Sequence, residues 1–466
     1  MKKSIIGLVL VILWIGSVYG QNLSSLEEKN NPSIDEDHTE IYSHFLNLLV
    51  GSPSSFSGSL KHIKDNWQDE YIVMTLEVAS LTSDPQIYNQ LFDLLEKKTR
   101  KLYGVDINKW FKWLWTKDET ILDDYGDFKS TLYAYIDKRF DRYFKERTNQ
   151  SEIRLDEVRW GGVKQDGIPP LRYPKMIPAH QASYLKDDHV VFGIEVNGDV
   201  RAYPKRILAW HEMFVDEVGG VEVAGVYCTL CGTVILYDTE VDGVKHNLGT
   251  SGFLYRSNKL MYDKATQSLW NTVYGEPVIG PLVGKGIELT TRSVVTTTWG
   301  EWKKRHPDSQ VLSLDTGHRR DYGEGAAYRD YFATDDLMFE VPGKIKKLKN
   351  KDEVLIIRAP EYRRDPLAIA AKYLRKRPIY HAEINGNKYL VLTDVTGGNR
   401  VYDAEEIVFM DYDGSDVITD QSGRKWYIEE NELIDSTSDR KLSGVSHHRS
   451  FWFGWVSMFP ETRLIK

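Results

Sequence analysis

The sequence has only two cysteines, Cys228 and Cys231, among 466 residues. That excludes a small disulfide-stapled scaffold and any metal site built from cysteine alone. Past residue 15 no apolar run approaches the roughly 20 residues that cross a bilayer as a helix. No basic excess exists either. Lys and Arg total 60 against 68 Asp and Glu, a formal charge of -8, so no nucleic-acid footprint is expected. There is no P-loop and no Rossmann fingerprint, and Gly249-Thr250-Ser251-Gly252 misses the nucleophile elbow because Phe253 follows. Val311-Leu312-Ser313-Leu314-Asp315-Thr316-Gly317 resembles one half of an aspartic protease. That chemistry needs two carboxylates sharing a proton, and no second Asp-Thr-Gly occurs.

What remains is rich in core material, with 41% hydrophobic residues, 13 Trp and 27 Tyr. The length suggests two to three domains. Lys2 and Lys3 precede an apolar run from Ile5 to Ile15, and Val18 and Gly20 fit a small-x-small cleavage site. This pattern predicts a signal peptide over residues 1–20 and an exported protein, periplasmic or secreted, with no transmembrane segment after cleavage. Residues 21 to about 40 are polar and acidic and read as a flexible lead-in.

From about 41 to 150 the apolar period is helical. Asp84-Pro85 reads as an N-cap with proline at the first helical position, and Ile87, Leu91, Leu94 and Leu95 follow on one face. Asp106 caps a helix bearing Trp110, Trp113 and Leu114. Phe128, Leu132, Tyr135, Ile136 and Phe140 predict another. After Asn149 short β-branched and aromatic runs alternate with Asn197-Gly198, Asp242-Gly243, Asn385-Gly386 and Asp413-Gly414 turns. The fold class is therefore α+β: an N-terminal small helical bundle or helical-repeat domain over 21–150, then a large mainly-β domain over 151–466.

The cysteines lie in Val226-Tyr227-Cys228-Thr229-Leu230-Cys231-Gly232-Thr233-Val234. A redox CxxC of the thioredoxin type opens a helix, whose N-terminus lowers the thiol pKa. Here a strand precedes the motif and Gly232 and a β-branched run follow. Strand, tight turn, strand is the shape of a metal knuckle. A two-residue loop is also a poor place for a stabilising disulfide, because closing it removes little unfolded-state entropy. Two thiolates leave a metal site incomplete, so imidazoles must supply the rest. The candidates are His211 in Trp210-His211-Glu212, then His447 or His448 ahead of an aromatic run, then His318. Glu212 and Tyr227 are placed to tune such a site, and Arg201, Tyr203, Arg256, Asn258 and Asp263 to line a pocket. A buried Arg–Asp structural network is the competing reading for that polar set.

The expected cofactor is a transition metal ion, copper favoured over zinc if the site is redox-active, with metal-dependent oxidoreduction or metal handling as the role. Metal-free thiol–disulfide exchange by Cys228 and Cys231 is the alternative, and a non-enzymatic envelope module is a third. The partner, a small molecule or a protein, is left open. Two basic clusters, Lys344, Lys346, Lys347, Lys349 and Lys351, and Arg375, Lys376 and Arg377, read as solvated faces.

A set of segments carries a family resemblance. They are Gly161-Gly162, Asp166-Gly167-Ile168-Pro169, Arg201-Ala202-Tyr203-Pro204, Trp210-His211-Glu212, Tyr227-Cys228-Thr229-Leu230-Cys231-Gly232-Thr233, Ser251-Gly252, Tyr262-Asp263, Ser268-Leu269-Trp270, Thr298-Trp299-Trp302 and Phe451-Trp452-Phe453-Gly454-Trp455. Together they resemble the DUF3179 family, exported bacterial proteins of unknown function. Thr229 stands where that motif usually has Pro, and Lys264 where Arg is usual; neither change removes a potential ligand. The resemblance implies one exported domain and no particular activity. About 120 residues over 316–436 read as an extension or divergent insertion.

Overall fold

The computed structural model describes residues 39–343 and 345–466. The signal peptide and lead-in read at residues 1–38, and Lys344 of the first basic cluster, lie outside them. The chain divides into two compact units. One ends at Asn149 and also holds Arg154–Gly167; the other is Gln150–Ile153 with Ile168–Lys466.

Local sequence signals set the helices of the first unit. Asp84 Oδ1 accepts the amides of Gln86 and Ile87, Pro85 starts the helix Pro85–Thr99, and Leu91, Leu94 and Leu95 are buried. Asp106 likewise accepts the Lys109 amide at the head of Ile107–Leu114. The segment read as one helix from Phe128 to Phe140 is instead broken. Tyr125–Ala134 is α-helical, Lys138–Phe140 is a separate 3-10 turn, and Tyr135 is exposed. Asp137 causes the restart: its carboxylate accepts the Arg139 amide, so a side chain competes with the helical backbone. The helix Tyr71–Leu81 is buried nearly all round, and its Glu77 pairs with Lys129 and accepts from Tyr125 and Tyr133. Among the described residues no helix is long and apolar enough to cross a membrane.

The second unit is built of short sheets. Three Asx-Gly pairs turn hairpins with positive φ at both residues: Asn197-Gly198, Asp242-Gly243 and Asn385-Gly386. The sheet that carries the cysteines runs Thr291–Arg292, Thr233–Asp238, Val221–Cys228, Met213–Val218, Leu171–Arg172, with only the last pair parallel. A second sheet centres on Val190–Val196 and Asp199–Pro204. The two-residue period of a strand places it: Phe192, Ile194 and Val196 point alternately into a core shared with Tyr203, Phe214 and Tyr227. Leu248–Tyr255, Asn258–Asp263, Leu269–Asn271 and Glu276–Ile279 form an antiparallel meander.

The region read as an insertion supplies strands of three further sheets. Glu353–Ile357 pairs with His447–Phe451 on one side and Leu367–Ala370 on the other, and Leu367–Ala370 runs parallel to Arg463–Ile465. Ile379–Ile384, Asn387–Thr393 and Asn399–Asp403 form a three-stranded sheet, and a five-stranded meander runs from Phe409 to Ser443. Lys346, Lys347, Lys349, Arg375, Lys376 and Arg377 are exposed, as solvated faces require, but Lys351 of the first cluster is half-buried, its ammonium donating to the Tyr331 and Thr334 carbonyls.

Candidate functional site

The CxxC motif sits where the sequence puts it, between antiparallel strands. The last register pair of Val221–Cys228 with Thr233–Asp238 is Cys228 with Thr233, so residues 229–232 turn the chain. Gly232 takes φ +58°, and a Cβ there would lie 2.7 Å from the Phe451 ring. Glycine is required on both counts. Cys228 and Cys231, with Cα atoms 5.6 Å apart, are joined as a disulfide. Both are withdrawn from solvent, at 2% and 0% exposure. Cys228 Sγ lies 3.8 Å from the Ser257 carbonyl oxygen. Cys231 is backed by the helix Trp452–Val456, where a Cβ on Gly454 would come within 2.6 Å of its own. The Phe451 amide donates to the Cys231 carbonyl at 2.8 Å.

A buried charged cluster grips the same turn. The Thr229 hydroxyl donates to Glu212 Oε1 at 2.6 Å, and the Tyr328 phenol donates to that oxygen at 2.9 Å. The other Glu212 oxygen pairs with the Lys259 ammonium, which is buried as well. Glu212 itself has φ +55° just past the helix Lys205–His211, and its carbonyl accepts the Tyr227 amide at 2.8 Å. Burial and the Glu212 charge push the Tyr328 phenol well above its ordinary pKa. Tyr331 donates to the Leu230 carbonyl at 2.6 Å, and Leu337, Val341 and Phe453 complete the apolar wall. The Tyr227 hydroxyl, also buried, finds no hydrogen-bond partner among the described residues; burial, ahead of the charges of Glu353 and Glu212, raises its pKa.

The histidines read as ligands do not join the two sulfurs. His211 donates from Nδ1 to the Pro169 carbonyl at 2.9 Å, which leaves Nε2 to accept the Tyr322 hydroxyl at 2.6 Å. Burial lowers its pKa from 6.5 to about 4. His318 lies against His211, ring centroids 5.1 Å apart. Both nitrogens of His447 meet carbonyl oxygens, of Val445 at 2.8 Å and Asn399 at 2.9 Å. His448 is buried on the neighbouring face of its strand. Among the described residues, the one group of three or more His, Cys, Asp or Glu side chains with ligand atoms within 4.8 Å of each other is Glu40, His44 and His62. The convergence of Cys228, Cys231, His211 and His447 or His448 expected from the sequence is therefore not what the structure contains. The physical reason is that each imidazole of His211 and His447 has its nitrogens occupied by local partners.

The polar set read as a pocket is mostly framework. Arg201 forms a two-bond fork with Asp199 and reaches Asp216 at 2.8 Å, and the Tyr203 phenol donates to the same Asp216 oxygen at 2.7 Å. This is the Arg–Asp network of the competing reading. Arg256 and Asn258 close the C-terminal end of the helix Trp452–Val456, donating to the Ser457 and Gly454 carbonyls at 2.9 and 3.0 Å. Asp263 holds a turn by accepting the Ala265 and Thr266 amides and meets His246 Nδ1 at 2.9 Å.

The family model for the protein of unknown function DUF3179 matches residues 165–462. The chain belongs to the DUF3179 family. No curated protein and no solved structure matches it. The DUF3179 match runs through the stretch read as an insertion, and that stretch supplies Tyr328 and Tyr331 to the cysteine turn. Those two tyrosines and Lys259 are the members of the cysteine-turn cluster that the sequence did not single out. The clustered aromatics of Tyr328, Tyr331 and Phe332 were the available signal.

Proposed function

We propose that this protein is a thiol–disulfide redox protein whose working centre is the Cys228–Cys231 pair. The observation that carries the reading is the pairing itself: two sulfurs joined across a two-residue turn that also bears, through Thr229, a buried carboxylate–ammonium pair. A link over so short a loop contributes little to chain entropy, so its value as a staple is small. Placement in an exported protein, as the first twenty residues suggest, would hold the pair oxidised between turnovers.

The step needs a dithiol reductant small enough to reach beneath the Tyr328–Val341 wall. Its thiolate attacks Cys228 Sγ, the sulfur not backed by Gly454. The Cys228–Cys231 bond breaks, a mixed disulfide forms on Cys228, and Cys231 leaves as a thiolate that takes up a proton. The reductant's second thiolate then attacks its own mixed-disulfide sulfur. Cys228 is released and protonated, and the reductant ends as a disulfide, two electrons poorer.

The test is equilibration of the full chain against graded dithiothreitol ratios, followed by alkylation and mass counting. Two thiols that appear together at a midpoint of about -270 to -120 mV support the proposal. Thiols protected until the chain is denatured would reject it. Metal analysis of the reduced protein belongs in the same experiment. One equivalent of copper or zinc, lost on Cys228→Ser, would favour the metal-centred reading over exchange.

A further inference from the structure

A second set of buried polar groups takes no part in the thiol–disulfide step. In the antiparallel pair of Glu353–Ile357 with His447–Phe451, His448 stands opposite Ile356. Directly opposed residues, and residues two apart, share a sheet face. Arg358, whose amide continues the ladder to the Ser446 carbonyl at 2.7 Å, therefore shares its face with His448. Both flank one indole. The Arg358 guanidinium carbon is 5.9 Å from the Trp455 ring centre and the His448 ring 6.1 Å from it.

Arg358 is 8% exposed and His448 is 1% exposed. Arg358 Nη1 donates to the Tyr362 hydroxyl at 2.5 Å, but its Nε and Nη2 have no partner, and neither has His448 Nε2. No carboxylate among the described residues lies within ion-pair distance of Arg358. Buried polar groups without partners cost about 1–3 kcal/mol each, more for charged groups, so two donors and an acceptor left unpaired side by side call for a partner. The Nε–Nη2 edge of a guanidinium is the fork that grips two oxygens of a planar oxyanion. His448 Nδ1 faces the Arg449 carbonyl at 3.1 Å, and a carbonyl only accepts. Nδ1 therefore carries the hydrogen, and Nε2 presents a lone pair. Burial, reinforced by the nearby Arg358 charge, keeps the ring neutral.

We infer that Arg358 and His448 form a binding site for a small monovalent oxyanion that carries one hydroxyl. The two oxygens of the anion accept from Arg358 Nε and Nη2, and its hydroxyl donates to His448 Nε2. Hydrogencarbonate and the smallest 2-hydroxycarboxylates share this chemistry. Hydrogenphosphate also carries a hydroxyl, but its second negative charge would meet one guanidinium and a neutral imidazole in a buried place, and a metal cation would face the guanidinium.

Calorimetric titration of the full chain at pH 8 with hydrogencarbonate, glycolate, acetate and formate tests the site. Saturable binding of hydrogencarbonate or glycolate is expected, with acetate and formate at least about tenfold weaker because they leave Nε2 unpaired. The ratio of the first two tells which source the site fits. Arg358→Lys is expected to weaken binding at least about tenfold, since one ammonium cannot reproduce the fork. His448→Leu should erase the preference for a hydroxyl. The hydroxyl preference of the unaltered protein decides the matter even where a variant fails to fold. Absence of saturable binding by all four anions, or equal affinity with and without the hydroxyl, would overturn the inference. The disulfide reading stands or falls separately.

Discussion

Glu212 and Lys259 form an ion pair in the protein interior, and the hydroxyl of Thr229, between the two cysteines, is bonded to the same carboxylate. A buried pair is worth little against an apolar replacement of both partners, but removing one strands the other. Lys259→Met should therefore destabilise the second unit by about 3–5 kcal/mol, read from urea unfolding. The double variant Glu212→Leu with Lys259→Met should recover most of that loss. Equal loss in single and double variants would mean that packing, and not charge, dominates there.

Gly232→Ala combines two penalties. The residue has φ +58°, and the added methyl would meet the Phe451 ring at 2.7 Å. Left-handed strain of about 1–2 kcal/mol adds to an overpacking cost of about 1–3 kcal/mol. A drop of at least about 2 kcal/mol in unfolding free energy is expected, with a shifted disulfide midpoint because the turn itself moves. Gly198→Ala is the control, since a Cβ there meets nothing within 4 Å and only its φ of +81° is strained.

His211 gives stability a pH dependence of known sign. Its folded pKa is lowered from 6.5 to about 4. Between those values the unfolded chain binds the proton and the folded chain does not, so stability rises with pH across that window. The contribution is complete above pH 6.5 and is lost as pH falls toward 4, amounting to at most about 3 kcal/mol. His211→Gln should flatten this segment of a stability–pH curve measured by chemical denaturation. An unchanged slope would remove His211 as its source.

Tyr322→Phe isolates the hydrogen bond to that imidazole. The phenol donates to His211 Nε2 at 2.6 Å and also meets Thr316 Oγ1 at 2.6 Å. Losing it leaves a buried acceptor unpaired at a cost of about 1–3 kcal/mol, and the His211 pKa should rise toward its ordinary value. Carbon-detected titration of the imidazole would follow both effects.

What the sequence made legible was local. Asn197-Gly198 and Asn385-Gly386 turn hairpins because two adjacent residues decide the backbone there. Asp84 and Asp106 cap helices for the same reason. The strand–turn–strand setting of Cys228 and Cys231 follows from Gly232 and its β-branched neighbours. The partners of that turn were not legible, because they arrive over long separations: Tyr328 lies 116 positions from Glu212 and Tyr331 lies 101 from Leu230. The histidines misled for a related reason. A side chain's spacing along the chain says nothing of whether a nearby carbonyl has already claimed its nitrogens, as Val445 and Asn399 claim those of His447.

The sheet of Glu353–Ile357 is closed by His447–Phe451 and, two strands away, by Arg463–Ile465. Its hydrogen-bond ladders join residues about a hundred positions apart, so the sheet is complete only once residue 465 has joined the chain, and its pairing is slow. The same late segment brings Phe451 and Gly454 against the cysteine turn. Oxidation of the cysteines can thus precede the arrival of part of their covering, and a chain interrupted before residue 447 would lack the Phe451 and Gly454 backing of Gly232 and Cys231 while keeping the Tyr331–Val341 wall.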